Sequence, residues 1–273
     1  MPELPEVETV VRDLRPLLVG QRIAAVRVGK HRLRSAWSKA WNEALIGCRI
    51  TNVSRRGKWI LIGLDCDRLL VLHLGMTGQL RVLPAAEPVE RHTHLRFELE
   101  GQGKELRFRD IRRFGSARFF PRRLEWERCL ASSRLGPEPF DVDAGYWEQA
   151  LAKTDRNLKA VLLDQRVAAG IGNIYADESL FAARLNPMRP GRKLKPAEAK
   201  RLRNAVVGVL NRAIDSRGST IRDYVGGSGL RGGYQDRFLV YGRTGEPCRR
   251  CRSPIERVRL AGRSTHFCPK CQK

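Results

Sequence analysis

The sequence predicts an α+β protein of two domains: a β-sandwich led by one helix, then a helical domain ending in a four-cysteine β-hairpin. Three observations predict it. Apolar residues recur at helical spacing from Pro5 to Leu18, and the period changes to two from about Arg22 to Phe120. Helical spacing then returns at Trp147 and runs on until two C-x2-C pairs close the chain.

The opening helix is read from Val7, Val10, Val11, Leu14, Leu17 and Leu18, and Gly20 stops it. It is preceded by "MPELPEV", in which prolines suit a first turn and acids meet the positive end of the helix dipole. Glu3 and Glu6, three apart, fall on one side of that start. The strands follow. "LRFELE" alternates Leu95, Phe97 and Leu99 against charged residues, "GQG" turns the chain, and "LRFRD" alternates again. "WILIGL" and "LLVLHL" are apolar runs of the length of buried strands. "SSRLGPEPFDVD" has linker composition. Helices are expected at Trp147–Ala152, Asp155–Gln165, Ile174–Leu185 and Pro196–Ser216. The expected domains are 1–131, a linker 132–145, a helical domain 146–243 and a hairpin 244–273.

Charge narrows the class of partner. Lys+Arg 52 against Asp+Glu 29 gives +23, spread along 273 residues, a field that attracts polyanions. Nucleic acid is the expected partner, ahead of an anionic membrane surface. No segment reaches the ~18 apolar residues of a membrane span, and the acidic start is unlike a secretory signal. A soluble, cytoplasmic protein is expected. Of the seven cysteines, Cys48, Cys66 and Cys129 are scattered and read as small reduced core residues.

The other four form "CRRC" at 248–251 and "CPKC" at 268–271, spaced C-x2-C-x16-C-x2-C. That is the spacing of a zinc site with four thiolate ligands, Cys248, Cys251, Cys268 and Cys271. Iron in a rubredoxin-like site is the alternative. Between the pairs, "IERVRLAGRSTHF" alternates around "AG" and predicts a hairpin carrying Arg257, Arg259 and Arg263. With four protein ligands the metal has no open position and is structural, so chemistry must lie elsewhere.

In "DQRVAAGIGNIYADESLF" a helix ends near Gln165, Gly170 and Gly172 permit tight turns, and Asn173 starts a helix whose N–H groups suit a phosphate. Together with "PELPEVET", "RRGKWILIGL", "HLGMTGQLR", "DIRRFG", "VYGRTGEPC" and "GRSTHFCPKCQK", it resembles the formamidopyrimidine-DNA glycosylase family. Members are bifunctional enzymes that excise oxidised purines and cleave the strand. The resemblance covers the whole chain. It implies that the two helices and their connection form a helix–two-turn–helix motif.

The resemblance also assigns roles. Pro2, once Met1 is removed, becomes the nucleophile, and a secondary amine adds to C1′ to give an iminium ion. An α-amino group titrates near 7.7–8.0, so a usable fraction is neutral at about pH 7. Glu3 moves protons at the sugar ring oxygen and at C2′, and Glu6 orders water or the amine. Lys58 and Arg263 complete the catalytic set and, with His73 and Asn173, hold phosphates beside the flipped nucleotide. His92 and Lys159 match further DNA contacts. Met76, Arg112 and Phe114 match residues that fill the gap left by an extruded base. Residues 222–237, with five glycines, align with a loop over that base. One structural zinc and no organic cofactor are implied, with double-stranded DNA bearing oxidised bases or abasic sites as substrate for a monomer. Three other readings compete. An endonuclease VIII-like enzyme would favour oxidised pyrimidines, a zinc-ribbon protein would bind without chemistry, and an N-terminal-proline tautomerase would act on keto acids. "PELPEVET", with Leu4, sides with the purine branch.

Overall fold

The computed structural model describes residues 2–31, 33–220 and 226–273. It divides into two compact units. The first comprises residues up to Ser133 together with the described part of Ser216–Gly233. It opens with helix α1 (Leu4–Leu18), followed by β1 (Ile23–Val28), α2 (Ala40–Leu45), β2 (Ile50–Arg56), β3 (Trp59–Leu64) and β4 (Leu69–His73). Then come β5 (Gly78–Pro84), β6 (Thr93–Leu99), β7 (Lys104–Asp110), β8 (Ser116–Phe120) and α3 (Arg123–Ser133). The strands form two antiparallel four-stranded sheets, β1-β6-β7-β5 and β2-β3-β4-β8.

One core joins these elements. Val7, Val10, Val11, Leu14 and Leu18 of α1 pack with Ile60, Ile62, Leu70 and Leu72 of one sheet and Leu80, Phe97 and Phe108 of the other. Each such side chain contributes roughly 1.5–3 kcal/mol by leaving water. The unbroken run "WILIGL" has a separate cause. Ile60 and Ile62 face that core, while Leu61 faces a second cluster with Val71, Phe120 and Trp126 beneath α3. A strand covered on both faces loses its alternation.

The second unit holds Arg134–Asp215 and Tyr234–Lys273. Its elements are α4 (Ala144–Ala152), α5 (Leu158–Leu163), α6 (Asn173–Ala182), α7 (Pro196–Asp215) and the hairpin β9 (Glu256–Leu260) and β10 (Arg263–Phe267). Between α5 and α6, the Gln165 side chain donates to the Ile171 carbonyl at 2.7 Å and accepts the Gly170 N–H at 2.9 Å. That single amide closes the double turn. The hairpin turn at Ala261 and Gly262 has φ 48° and 73°, the left-handed pair that a two-residue hairpin favours.

Three expectations need correction. The helical domain does not run unbroken from 146 to 243, because the described residues of 216–233 group with the first unit. The linker at 132–145 is entered by the end of α3 and left by the start of α4. Cys66 is no core residue; it is exposed in the β3–β4 turn with φ 56°. Residues 222–225 of the glycine-rich stretch lie outside the described residues.

Candidate active site and nucleic-acid interface

The start of α1 is built on its two acids. Glu3 caps the helix, and Glu6 Oε2 accepts the Glu3 N–H at 2.8 Å. Pro2 is buried, and Glu3 and Glu6 are each only 2% exposed. Glu6 Oε1 accepts the Ser219 N–H at 2.7 Å and its hydroxyl at 3.0 Å. The backbone of Gly218 lies so close that a Cβ there would sit 2.8 Å from Oε1, and its φ of +74° also favours glycine. Glu6 was expected to order water or the amine. Both of its oxygens accept protein donors, so it also fastens Ser219 to the helix start. Farther along α1, Asp13 accepts Arg217 Nη2 at 2.7 Å and the Ser228 N–H and hydroxyl at 3.1 and 3.0 Å. Sequence reasoning missed this second clasp, since its partners stand some two hundred positions away.

Lys58 occupies the β2–β3 turn and is 8% exposed. Arg55 on the same hairpin donates to Glu8 of α1 at 3.2 Å, tying the turn to the helix. Burial opposes ionisation of Glu8, but Arg12 and Arg55 outweigh it and hold its carboxyl below the usual range. His73, at the end of β4, pairs with Trp59 across β3, and their rings lie 4.8 Å apart. Burial, and then the charges of Lys58 and Arg34, lower the His73 imidazole to about 4. Its Nδ1 accepts the Gly75 N–H at 3.0 Å, which leaves the proton on Nε2. His73 is therefore a neutral donor, the form a phosphate oxygen can use.

Met76, Arg112 and Phe114 are brought together on two loops that share one lock. Asp110, fully buried, accepts the Thr77 hydroxyl at 2.6 Å and the Gly115 N–H at 2.7 Å, while Thr77 Oγ1 accepts the Arg112 N–H at 3.1 Å. A Cβ on Gly75 would lie 2.5 Å from Gly115 N, so the loops meet backbone to backbone. On that tip Met76 is 36% and Phe114 45% exposed, and the Arg112 guanidinium lies 4.8 Å above the Phe114 ring. Two exposed apolar side chains beside a planar cation suit insertion into a base stack. His92 is exposed with φ 68°, and its carbonyl accepts the Asp110 N–H at 3.0 Å.

In the second unit, Asn173 is the first residue of α6 and donates through Nδ2 to the Ser264 carbonyl at 3.0 Å. Arg263, beside Ser264, is exposed at the hairpin tip. Helix start and tip thus form one polar corner. Lys159 does not join it. It was expected to touch DNA, but it is 0% exposed, and its Nζ donates to the Asn173 carbonyl at 2.8 Å and to Asp177 Oδ1 at 2.5 Å. Asp177 Oδ2 accepts the His266 N–H at 2.9 Å and meets its Nδ1 at 3.0 Å. Lys159 is the buried pivot of a network joining α5, α6 and the hairpin. Breaking one partner of such a pair costs about 3–5 kcal/mol.

The four cysteines converge. All ligand atoms lie within 4.8 Å of one another, with Sγ separations of 3.9 Å for Cys248 and Cys271 and 3.4 Å for Cys251 and Cys268. Tetrahedral zinc bonds of ~2.3 Å place sulfurs ~3.8 Å apart, so the cluster fits that ion. Hydrogen bonds from Ser253 draw the Cys251 thiol down to about 6, whereas burial and the neighbouring thiols push Cys271 up to about 12. Four thiolates need a divalent cation to coexist here, and these residues hold one structural zinc. Nearby, Glu178 accepts the N–H groups of Leu239, Val240 and Tyr241 at 2.9–3.1 Å and anchors the chain entering the hairpin.

Comparison with known proteins covers the whole chain. Residues 1–117 match the family model of the formamidopyrimidine-DNA glycosylase N-terminal domain, and 135–225 match the H2TH domain of the same enzymes. Residues 245–273 match the zinc finger found in FPG and IleRS. The formamidopyrimidine-DNA glycosylase of Moorella thermoacetica is 50% identical over 95% of each chain. That of Thermus thermophilus is 48% identical over 100% of this chain and 98% of its own. Among solved structures, a Lactococcus lactis FPG mutant in complex with Fapy-dG DNA superposes with a TM-score of 0.92 at 34% identity over 100% of both chains. The same organism's Fpg with abasic-site DNA gives 0.91 at 34% identity over 99% of both. No described helix is long and apolar enough to cross a membrane.

Proposed function

The chain belongs to the formamidopyrimidine-DNA glycosylase family, and from that premise we infer a bifunctional enzyme of base-excision repair. It removes oxidised purines, 8-oxoguanine and formamidopyrimidines, from double-stranded DNA and cleaves the strand at the abasic site. The Fapy-dG and abasic DNA named with the Lactococcus lactis structures support that substrate class. Bacterial relatives support work in the bacterial cytosol, on the nucleoid.

The observation that carries the mechanism is the buried start of α1, where Pro2 adjoins Glu3. Once Met1 is removed, the Pro2 nitrogen forms a bond to C1′ as the bond from C1′ to the base breaks. The base departs with that electron pair and takes up the proton that the Pro2 nitrogen, cationic after attack, gives up, which restores the nitrogen lone pair. Glu3 gives a proton to the ring oxygen, the sugar opens, and the nitrogen lone pair completes an iminium ion. That ion is the electron sink for loss of the C2′ proton to Glu3 and departure of the 3′ phosphate. A second elimination then releases the 5′ phosphate. Lys58, His73, Asn173 and Arg263 hold phosphate oxygens as ammonium, neutral imidazole, amide and guanidinium donors. Met76, Arg112 and Phe114 occupy the gap in the duplex, and His92 adds a further DNA contact.

Borohydride tests the mechanism. With an 8-oxoguanine duplex it should trap a crosslink mapping to residue 2, on protein whose intact mass lacks Met1. A crosslink mapping only to lysine would overturn the assignment.

A further inference from the structure

The second unit has a basic face that the lesion-binding corner does not use. A cleft of about 580 Å³ lies where the far end of α6 meets the cysteine knuckles. Arg184, Arg189, Arg201, Arg250, Lys270 and Lys273 line it, against a single acid, Glu198. Glu198 is already held by Arg189 through two hydrogen bonds of 2.8 and 2.6 Å, and the pairing keeps its carboxyl below the usual range. Arg201 also reaches Glu198 at 3.6 Å, and Cys251 and Cys271 of the zinc site share the lining, where four thiolates around a divalent ion add two negative charges; the six cations still exceed them.

The cleft is remote from the corner formed by Asn173 and Arg263. Asn173 begins α6 and Arg184 follows its last turn, so the ten-residue helix separates them by about 15 Å. Arg263 opens β10 whereas Cys268, Lys270 and Cys271 lie past its other end.

Arg184 is one of five described arginines held at positive φ. It sits just past α6 with φ 56°, where its N–H meets the Phe181 carbonyl and the Leu185 N–H meets the Leu180 carbonyl. This helix-ending turn favours glycine, and another residue in the left-handed region is strained. The Arg184 side chain lines the cleft.

We propose that this cleft is a docking site for an acidic, extended peptide segment of a partner protein. Shape and chemistry favour peptide over nucleic acid. A concave cleft admits a flexible chain, whereas a duplex is a convex cylinder. Single strands are held by exposed aromatic rings on which bases stack, and no aromatic side chain is among the residues lining this cleft. The Phe181 ring is buried beneath the Arg250 guanidinium, 4.5 Å from its centroid. Guanidinium groups match carboxylates as two-point donors.

The test uses the full-length zinc-loaded protein and a fluorescent Asp- and Glu-rich peptide. Binding should weaken with added salt and persist when the protein is saturated with lesion duplex. The double reversal Arg184→Glu with Lys270→Glu should weaken peptide binding roughly tenfold or more, with lesion excision unchanged. The neutral pair Arg184→Asn with Lys270→Gln places asparagine where the left-handed backbone welcomes it. It should keep stoichiometric zinc and show an intermediate loss, which guards against misfolding of the reversal variant. Displacement of the peptide by lesion duplex, or equal binding by parent and both variants, would overturn the site. So would a single-stranded oligonucleotide that binds more tightly than the peptide with the same dependence on Arg184 and Lys270. Absence of peptide binding in low salt would overturn it outright.

Discussion

The start of α1 and the zinc hairpin are held in place by opposite means. Behind Pro2 and Glu3 runs a helix whose Val7, Val10, Val11 and Leu14 are fully buried in the main core. Its other polar groups are occupied with fastening, Glu6 to Ser219 and Asp13 to Arg217 and Ser228. The hairpin has only a small core, in which Ile255, Cys248 and Cys268 pack with Phe181 and Val240 while Thr265, His266 and Phe267 of β10 are buried. Four of the five residues of β9 alternate between exposed and half-buried positions after an exposed start, and Arg263 projects into water. Its place depends on four thiolates and on the acids Asp177 and Glu178 of α6. A core-held site can lose its chemistry and keep its fold. A metal-held site loses both together, unless the change is confined to its tip.

Glu3→Gln should break the comparison most sharply. The helix remains capped by an amide of the same shape, so folding and lesion-DNA binding should persist. Excision should fall by roughly 10²–10⁴-fold, the usual contribution of a general acid. Single-turnover rates with binding measured in parallel decide it; near-normal excision would remove Glu3 from proton transfer.

The hairpin should behave in the contrary way. Cys248→Ser or Cys271→Ser should release zinc and unfold residues 244–273, abolishing tight DNA binding while the first unit stays folded, since metal-binding energy is folding energy for such a knuckle. Metal analysis beside hydrogen exchange checks both halves of that statement. Iron in place of zinc, or a protected hairpin without metal, would contradict it.

These two sites also differ in how far the sequence disclosed them. Periodicity marked α1, the strands and the hairpin because each is set by neighbours within a few residues. Cysteine spacing marked the metal for the same reason. What stayed hidden depends on partners far along the chain. Lys159 reads as a surface cation, because lysine is almost never fully buried unless paired. Its partner Asp177 stands eighteen positions on and only the folded α5–α6 pair brings them together. Glu6 reads as a second catalytic carboxylate beside Glu3, and only the fold brings Ser219 onto it. The segment around Ser219 looked helical-domain by position, whereas Glu6 and Asp13 attach it to the sandwich unit. Cys66 was misjudged by composition alone, its turn being the local feature that mattered.

Arg263→Ala sharpens the contrast by touching the tip and sparing the metal. The side chain opens β10 beside the Ala261–Gly262 turn and supports no buried contact, so zinc content and thermal stability should match the parent. Binding to lesion DNA should weaken, and its log–log salt slope should become shallower by roughly 0.9 per lost phosphate contact. Arg263→Lys should restore part of the affinity, because an ammonium cannot span two oxygens. If the alanine variant binds and cleaves like the parent near physiological salt, the hairpin reaches DNA through other residues.

The smallest expected effect is a pH dependence belonging to the sandwich unit alone. His73 is held neutral to about 4 in the fold, by burial and by the charges of Lys58 and Arg34, against an ordinary value of 6.5. The unfolded chain therefore takes up this proton first as pH falls. Stability from keeping His73 neutral is complete above about 6.5, declines between 6.5 and 4, and falls no further below that. His73→Gln removes the titrating group, so the stability difference between parent and variant should shrink across that window. Zinc release in acid complicates the raw curves, but it acts on both proteins and cancels in the difference. An NMR titration of the His73 ring gives the direct reading. A midpoint near 4 fits a half-buried donor with its proton on Nε2, whereas a midpoint near 6.5 would place the ring in solvent and remove it from the phosphate-holding set.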